Sequence, residues 1–402
     1  MSEQHWDVVI VGAGPVGSFA AWKLSERGHK VLLLEEHSEI GRPFQCAGLV
    51  TPRVMKTVGL HDTVLSDIFG ARIHSPSGVV VPVGTGDEIK THVVCRKLFD
   101  QGITRLSLSA GAQLWLLSHP ISCDNEGETV SLTINRNGVF HEITTSLLIG
   151  ADGAHSWVRR TLKLGNPKEW MFGFQVEVTG YEGKNGWLEM FTGQSVAPGL
   201  FAWVIPNGMT HRIGVWSITK DLGGRSCEQL IEYLMNESRW KDRFTNCRET
   251  ARHCGPIPAG LIKRPWANRT ILIGDAAGLA KPTTGGGIGP GISQVESILE
   301  GLSRAISDNK LSSRDLKRIQ KPMEKVRKEQ ERSRALRDFF VSKRTDAELD
   351  ENFTLFSRPE VLELINVQGD IEKPVALGMA LIREVPKFRM LALKAGFALL
   401  RG

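Results

Sequence analysis

Three glycines at positions 12, 14 and 17, followed by an acid at Glu35, form the most chemically pointed spacing in the chain. In a GxGxxG turn the first glycine permits the sharp bend, the second lets backbone approach a pyrophosphate, and the third lets a helix pack on a strand. Glu35, with Glu36 beside it, stands where a carboxylate accepts hydrogen bonds from both hydroxyls of a ribose. An acid there disfavours a 2′-phosphate, so the expected guest is the adenosine diphosphate half of FAD or NAD.

The elements that must hold these residues are legible around them. "WDVVIVGAGPVGSFAAWKLSERGHKVLLLEEH" reads as strand, glycine turn, helix and second strand. Val8–Val11 and Val31–Leu34 are apolar runs of the kind that parallel strands buried on both faces require. Pro15 and Val16 open the helix, whose free N–H groups and positive dipole end face the diphosphate. Two later strands also end in acids. "LLIGADGAHSWVRR" (147–160) carries Asp152, and "RTILIGDAAGLAKPTTGGGIGPGI" (269–292) carries Asp275, then Gly286, Gly287 and a helix start at Ile288. The sequence has a single GxGxxG unit, so a nicotinamide binds transiently or electrons arrive from another donor.

Between Thr161 and Cys254 short alternating segments broken by Gly and Asn predict an antiparallel sheet inserted between two pieces of the nucleotide unit. "VEVTGYEGKNGWLEMF" is expected to form one hairpin and "GLFAWVIPNGMTHRIGVWSI" another, turning at Asn207-Gly208. In the stretch 199–208 Phe201, Trp203 and Ile205 share one face, Ala202 and Val204 the other, and Pro206 is expected to end the strand. This platform holds no acid, base, nucleophile or metal ligand. It is either sheet core or the wall of a site.

Composition narrows the class. The 402 residues suffice for two or three domains, and 41% hydrophobic with 23% charged residues is ordinary for a soluble globular protein. No apolar run is long enough to span a bilayer. The first residues run into a strand without a basic, cleavable leader, which predicts a cytoplasmic location. Six cysteines without CxxC spacing argue against zinc, iron–sulfur or disulfide frameworks, so no metal is expected. Residues 311–402 hold 19 Lys plus Arg against 14 Asp plus Glu, an excess of +5 out of a net +6. Interleaved signs disfavour nucleic acid. The end segment, with Phe388, Leu391, Leu393, Phe397, Leu399 and Leu400 among Lys387, Arg389, Lys394 and Arg401, suits a headgroup layer or a helical lid, and hence peripheral contact with a membrane surface.

The GADG and GD segments in this order resemble the FAD-dependent oxidoreductase family that includes aromatic hydroxylases and geranylgeranyl reductases. "APGLFAWVIPNG" resembles the PGxYxWxFP motif of geranylgeranyl reductases, "FQCAGLV" (44–50) their Cys-Gly/Ala-Gly stretch, and "GDAAGLAKPTTGGGI" their GDAA…PxTGGGI. The resemblance runs over essentially the whole chain and is nearest the archaeal digeranylgeranylglycerophospholipid reductase branch. It departs at Phe201 where Tyr is usual, Ile205 where Phe is usual, and Lys281 where Asn or Asp is common.

This resemblance implies FAD as cofactor. Asp275 would lie by its ribityl and phosphate portion, and Gly286, Gly287 and Ile288 at the pyrimidine end. Arg96 of "CRKLFDQGI" and Cys46-Ala47-Gly48 would contact it, and Pro120, ending the strand "LWLLSHP", would touch the adenine. The implied activity is hydride transfer from flavin N5 to an alkene of a geranylgeranyl chain in a membrane lipid or precursor. Phe201, Trp203, Ile205 and Pro206 would line an apolar tunnel for that substrate. Cys46 either orders the reacting end, by its thiol or a water it holds, or is a small packed residue against FAD. The electron donor would be a ferredoxin-like protein or NAD(P)H. An aromatic hydroxylase (monooxygenase) and a quinone-linked flavoprotein dehydrogenase are the rival activities.

The expected fold class is α/β and multi-domain. A Rossmann-like FAD-binding domain of the aromatic-hydroxylase type would take residues 1–75, 90–160 and 255–310. An inserted antiparallel-sheet substrate domain would take 76–89 and 161–254, and a helical C-terminal region 311–402.

Overall fold

The uncharged runs on either side of the glycine turn form the centre of the first sheet in the computed structural model, which describes residues 4–44, 46–370 and 373–394. Along the chain, the elements that position the site are β1 (Gln4–Val11), α1 (Pro15–Ser25), β2 (Val31–Leu34), α2 (Arg96–Ser109), β3 (Val139–Gly150), β4 (Glu169–Thr179), β5 (Trp187–Gly193), β6 (Ala197–Asn207), β7 (Thr210–Ile218), β8 (Arg248–Ala259), β9 (Thr270–Leu272), α3 (Ile288–Ser307) and α4 (Met323–Arg337). β9, β3, β1, β2 and the short strand Gln113–Trp115 lie side by side and parallel, with Val8 opposite both Leu147 and Val31.

Alternate residues of this sheet feed two apolar layers. Val8, Ile10, Val31 and Leu33 pack with Phe19, Ala20 and Leu24 of α1 and Ile292 and Val295 of α3. Val9, Val11, Leu32 and Leu34 pack on the opposite face with Val158, Leu272 and Met323. A sheet buried on both faces explains why neither central run tolerates a charge.

The second sheet has the order β8–β4–β7–β6–β5, continued by Gly70–His74 and Val80–Val83. β6 and β7 form the expected hairpin around Asn207-Gly208, with Asn207 opposite Thr210. The expected hairpin over 176–191 does not form. β4 pairs with β7 and β8, whereas β5 pairs with β6 and, in parallel, with Gly70–His74. The strands β5, β6 and β7 make a meander, and β4, which precedes them in the chain, lies beside β7, a Greek key in which the sequence neighbours β4 and β5 are not sheet neighbours. Nor does Pro206 end β6. The strand runs to Asn207, and the ladder with β5 begins only at Val204, so the missing N–H falls beyond it.

Beyond α3 the chain is helical. Ser312 Oγ accepts from Asp315 N to cap Ser313–Ile319, and Pro322 separates that helix from α4. α4 grips the turn Ala280–Pro282, which follows β9, from behind: Gln330 Nε2 donates to Ala280 O (3.2 Å), and Arg337 Nη1 donates to Pro282 O (3.0 Å) and Glu169 Oε2 (2.8 Å). A π-helical turn, Asp338–Ser342, follows, and Ser342 Oγ donates to Gly199 O at the start of β6. Phe339, Phe340, Phe356 and Phe388 pack in one apolar cluster. Phe388 is therefore core, while Met390 and Leu393 of the helix Pro386–Lys394 are exposed. Phe397, Leu399, Leu400 and Arg401 lie outside the described residues.

Candidate active site

The glycine turn is shaped by backbone contact. Gly12 has φ +101°, and a Cβ there would sit 2.5 Å from Ala151 O, while a Cβ on Gly17 would overlap Gly12 O. A Cβ on Gly14 would meet nothing within 4 Å, so this is the side from which a pyrophosphate can approach. Ala13 N donates to Glu35 Oε2 (3.1 Å), and His37 N donates to Oε1 (3.0 Å), so the carboxylate is fixed at the end of β2 beside the turn. Val16 packs against Gly274 and Gly291 and ties the turn to the Asp275 segment.

Two expected members stand apart. The Glu36 side chain is 70% exposed, with only a long contact to His37. Pro120 does not end a strand. Gln113–Trp115 is followed by a bend with Leu117 at φ +52°, and Pro120 is buried within the next strand, Ser118–Asp124, opposite Ile134 at a register shift. The amides of Leu117 and Ser118 donate to His37 O and Glu35 O.

The end of β9 and the start of α2 bring buried charges together. Arg96 makes a bidentate pair with Asp100, at 3.1 and 2.8 Å. Burial opposes the Arg96 charge, but Asp100 and the facing Cys46 sulfur hold it more firmly protonated than a free guanidinium. Asp275 lies close enough to feel that charge. Burial pushes its carboxyl up to about 6, against a partial downward pull from Arg96. Its Oδ1 is buried without a hydrogen-bond partner, and a Cβ on Gly287 would overlap that same atom. Asp152 accepts from Val158 N (3.0 Å) through Oδ2, while its Oδ1 is likewise buried and unpartnered. Gly287 caps α3 and Ile288 begins it, so free helix N–H groups lie beside Asp275.

The aromatic face of β6 meets this set. Ala202 and Val204 pack outward under the helix Cys227–Asn236. Phe201 and Trp203, both half-buried, occupy the other face with Ile205, which is core. The Trp203 indole lies across Gly214, where no side chain blocks it, and packs in one cluster with Ile205, Ala47 and Leu49. Phe201 stacks edge-on against Trp216 at 5.3 Å, and a Cβ on Gly285 would lie 3.1 Å from the Trp216 ring. Pro206 is buried behind the platform.

These residues fit a flavin dinucleotide. The turn has an open side at Gly14, the Glu35 carboxylate is held beside it, and two buried carboxylate oxygens lack donors that a polyol can supply. Sequence reasoning missed Gln175 and Arg212, which reach the Cys46–Gly48 turn from the second sheet. The only available signal was a charge inside the apolar alternation of "HRIGVWSI".

Residues 7–63 match the FAD dependent oxidoreductase family, and residues 118–314 match a family described as FAD binding domain. The chain is 31% identical, over 86% of its length and 89% of the relative's, to a digeranylgeranylglycerophospholipid reductase of Methanocaldococcus jannaschii. It is 29% identical, over 90% and 94%, to digeranylgeranylglycerophospholipid reductase 3 of Methanosphaera stadtmanae. Its fold is similar to a geranylgeranyl bacteriochlorophyll reductase-like protein of Thermoplasma acidophilum, with a TM-score of 0.87 at 22% identity over 98% of this chain and 100% of that one.

Proposed function

The chain belongs to the digeranylgeranylglycerophospholipid reductase family, and on that premise we propose that it saturates C=C bonds in geranylgeranyl chains of membrane lipids or their precursors. FAD, when bound and reduced, would supply the hydride to one alkene carbon, and a proton taken up from solvent would go to the other, which accounts for two hydrogens per bond. The remaining tasks fall to the chain's own residues. The turn at Gly12, Gly14 and Gly17 with Glu35 binds the adenosine diphosphate end, and Asp275, Arg96 and the start of α3 bind the flavin end.

A prenyl tail offers no group to hydrogen-bond. Its affinity must come from apolar burial, at about 0.8 kcal/mol per CH₂. Phe201 and Trp203 form the wall of the channel, with Ile205 and Pro206 holding that wall in place. The wall excludes water and keeps the alkene in a near-attack position. Cys46, facing Arg96, orders the reacting end. The observation that carries this reading is the contact chain Gly285–Trp216–Phe201, which sets the chemically inert sheet face directly against the flavin-side turn. A hydroxylase is disfavoured by that apolar face, and a quinone-linked dehydrogenase by six cysteines scattered without a cluster.

With one GxGxxG turn in the sequence, the reductant is a docking donor, either a ferredoxin-like protein or transiently bound NAD(P)H. No helix among the described residues is long and apolar enough to cross a membrane. Exposed Met390 and Leu393, beside Lys387 and Arg389, form the peripheral contact through which lipid is drawn from a bilayer. Mass spectrometry of lipids from a host that makes geranylgeranyl lipids, with and without this chain, tests the function. The expected result is a gain of two hydrogens per reduced bond, and unchanged lipids would overturn it.

A further inference from the structure

Three consecutive carbonyls of the Cys46–Gly48 turn each receive one donor from outside it. Gln175 Nε2 donates to Cys46 O at 3.2 Å, Arg212 Nη1 to Ala47 O at 2.7 Å, and Val94 N to Gly48 O at 2.9 Å. Two of the three donors come from β4 and β7 of the second sheet, whereas Arg96, which faces the Cys46 sulfur, belongs to α2. The thiol is thus held between two units.

Arg212 is built for this contact. It is 3% exposed, its Nε donates to Glu177 Oε1 at 3.0 Å on the neighbouring strand, and its guanidinium lies 4.8 Å over the Phe44 ring. Gly48 has φ +81°, and a Cβ there would overlap Arg212 Nη1 and lie 2.9 Å from Val94 O. Gln175 is 5% exposed and its Oε1 has no partner, so its buried carboxamide is committed to the turn alone. Burying a guanidinium and an amide costs free energy that simple packing would not require. The same rungs of the sheet carry the substrate wall: Gln175 is opposite Gly214, which is opposite Trp203, and Glu177 is opposite Arg212, which is opposite Ile205.

We infer that Arg212 and Gln175 are positioning residues that fix the Cys46–Gly48 turn, so that the Cys46 sulfur faces Arg96 and accepts from Gly48 N (3.4 Å), and so that this placement follows the substrate sheet. The inference rests on the reading that Cys46 orders the reacting end of the site.

The test uses FAD-loaded protein and the variants Arg212→Met, Arg212→Lys, Gln175→Leu and Cys46→Ala. FAD content, the iodoacetamide labelling rate of Cys46 resolved by peptide mass spectrometry, and kcat and KM for prenyl reduction are measured. Exposed Cys254 is the internal standard for labelling. Arg212→Met is expected to keep FAD, to label Cys46 about tenfold faster as a charge-assisted hydrogen bond is lost, and to lower kcat with KM little changed. Arg212→Lys should restore part of both, because an ammonium reaches one carbonyl without the fork that also holds Glu177. Gln175→Leu should move in the same direction by less, and it carries the test if Arg212→Met does not fold. FAD-loaded Arg212→Met and Gln175→Leu labelling Cys46 at the unaltered rate would overturn the inference. Full activity in Cys46→Ala would instead overturn the role given to the thiol, and the labelling rates would still decide whether the clamp exists.

Discussion

At the scale of single residues, Asp275 carries a pH signature. Its carboxyl is pushed up to about 6 from an ordinary 3.8, chiefly by burial. The folded chain therefore binds an extra proton, and this group's contribution to stability is complete below its ordinary value and lost as pH rises through about 6. By neutral pH the loss amounts to roughly 3 kcal/mol. Urea unfolding of apoprotein should show Asp275→Asn gaining on the parent chain by that order between about pH 4 and pH 7, and parallel curves would refute the burial argument. The three fingerprint glycines should also separate. Gly17→Ala drives a Cβ into Gly12 O and should destabilise the apoprotein by roughly 2 kcal/mol. Gly14→Ala meets nothing and should leave thermal stability within about 0.5 kcal/mol while releasing FAD on gel filtration. These roles were legible because glycine spacing encodes backbone geometry directly. Arg212 was not, since a strand arginine reads as solvated until its neighbours in the sheet are known.

Elements explain where that legibility stopped. The parallel strands were readable because burial on both faces leaves an uncharged run, and α3 because a glycine turn precedes it. The hairpin expected over 176–191 failed for a physical reason. Alternation identifies a strand but not its partner, and in a Greek key the partner is distant in sequence. The link between α4 and the turn Ala280–Pro282 was equally invisible, because Arg337 sits in a helix that reads as a charged surface. Its side chain is buried between Glu169, Asp338 and Pro282 O. Arg337→Met should cost roughly 3 kcal/mol, the cost of leaving Glu169 short of its partner. It should also lower Tm and speed FAD release together. A fall in Tm with no change in FAD release would mean that α4 supports the fold without bracing the site.

At the scale of the molecule, a helical tail ties a nucleotide unit and an apolar sheet face in place. The tail's two exposed apolar residues give a separate expectation. Met390→Glu with Leu393→Glu should reduce flotation with anionic liposomes and leave Tm unchanged, because Phe388 and not these residues fills the core. Flotation equal to that of the parent chain would remove the headgroup contact. The central proposal is that flavin and prenyl chain meet in a channel that Phe201 and Trp203 line. Its most direct measurement is anaerobic: holoprotein is reduced chemically, freed of reductant and mixed with a geranylgeranyl lipid while the flavin spectrum is followed. The expected result is reoxidation of the flavin in step with the appearance of lipid bearing two added hydrogens, slowed by Trp203→Ala with FAD still bound. A flavin that stays reduced over the lipid, yet reoxidises normally when oxygen is admitted, would contradict it.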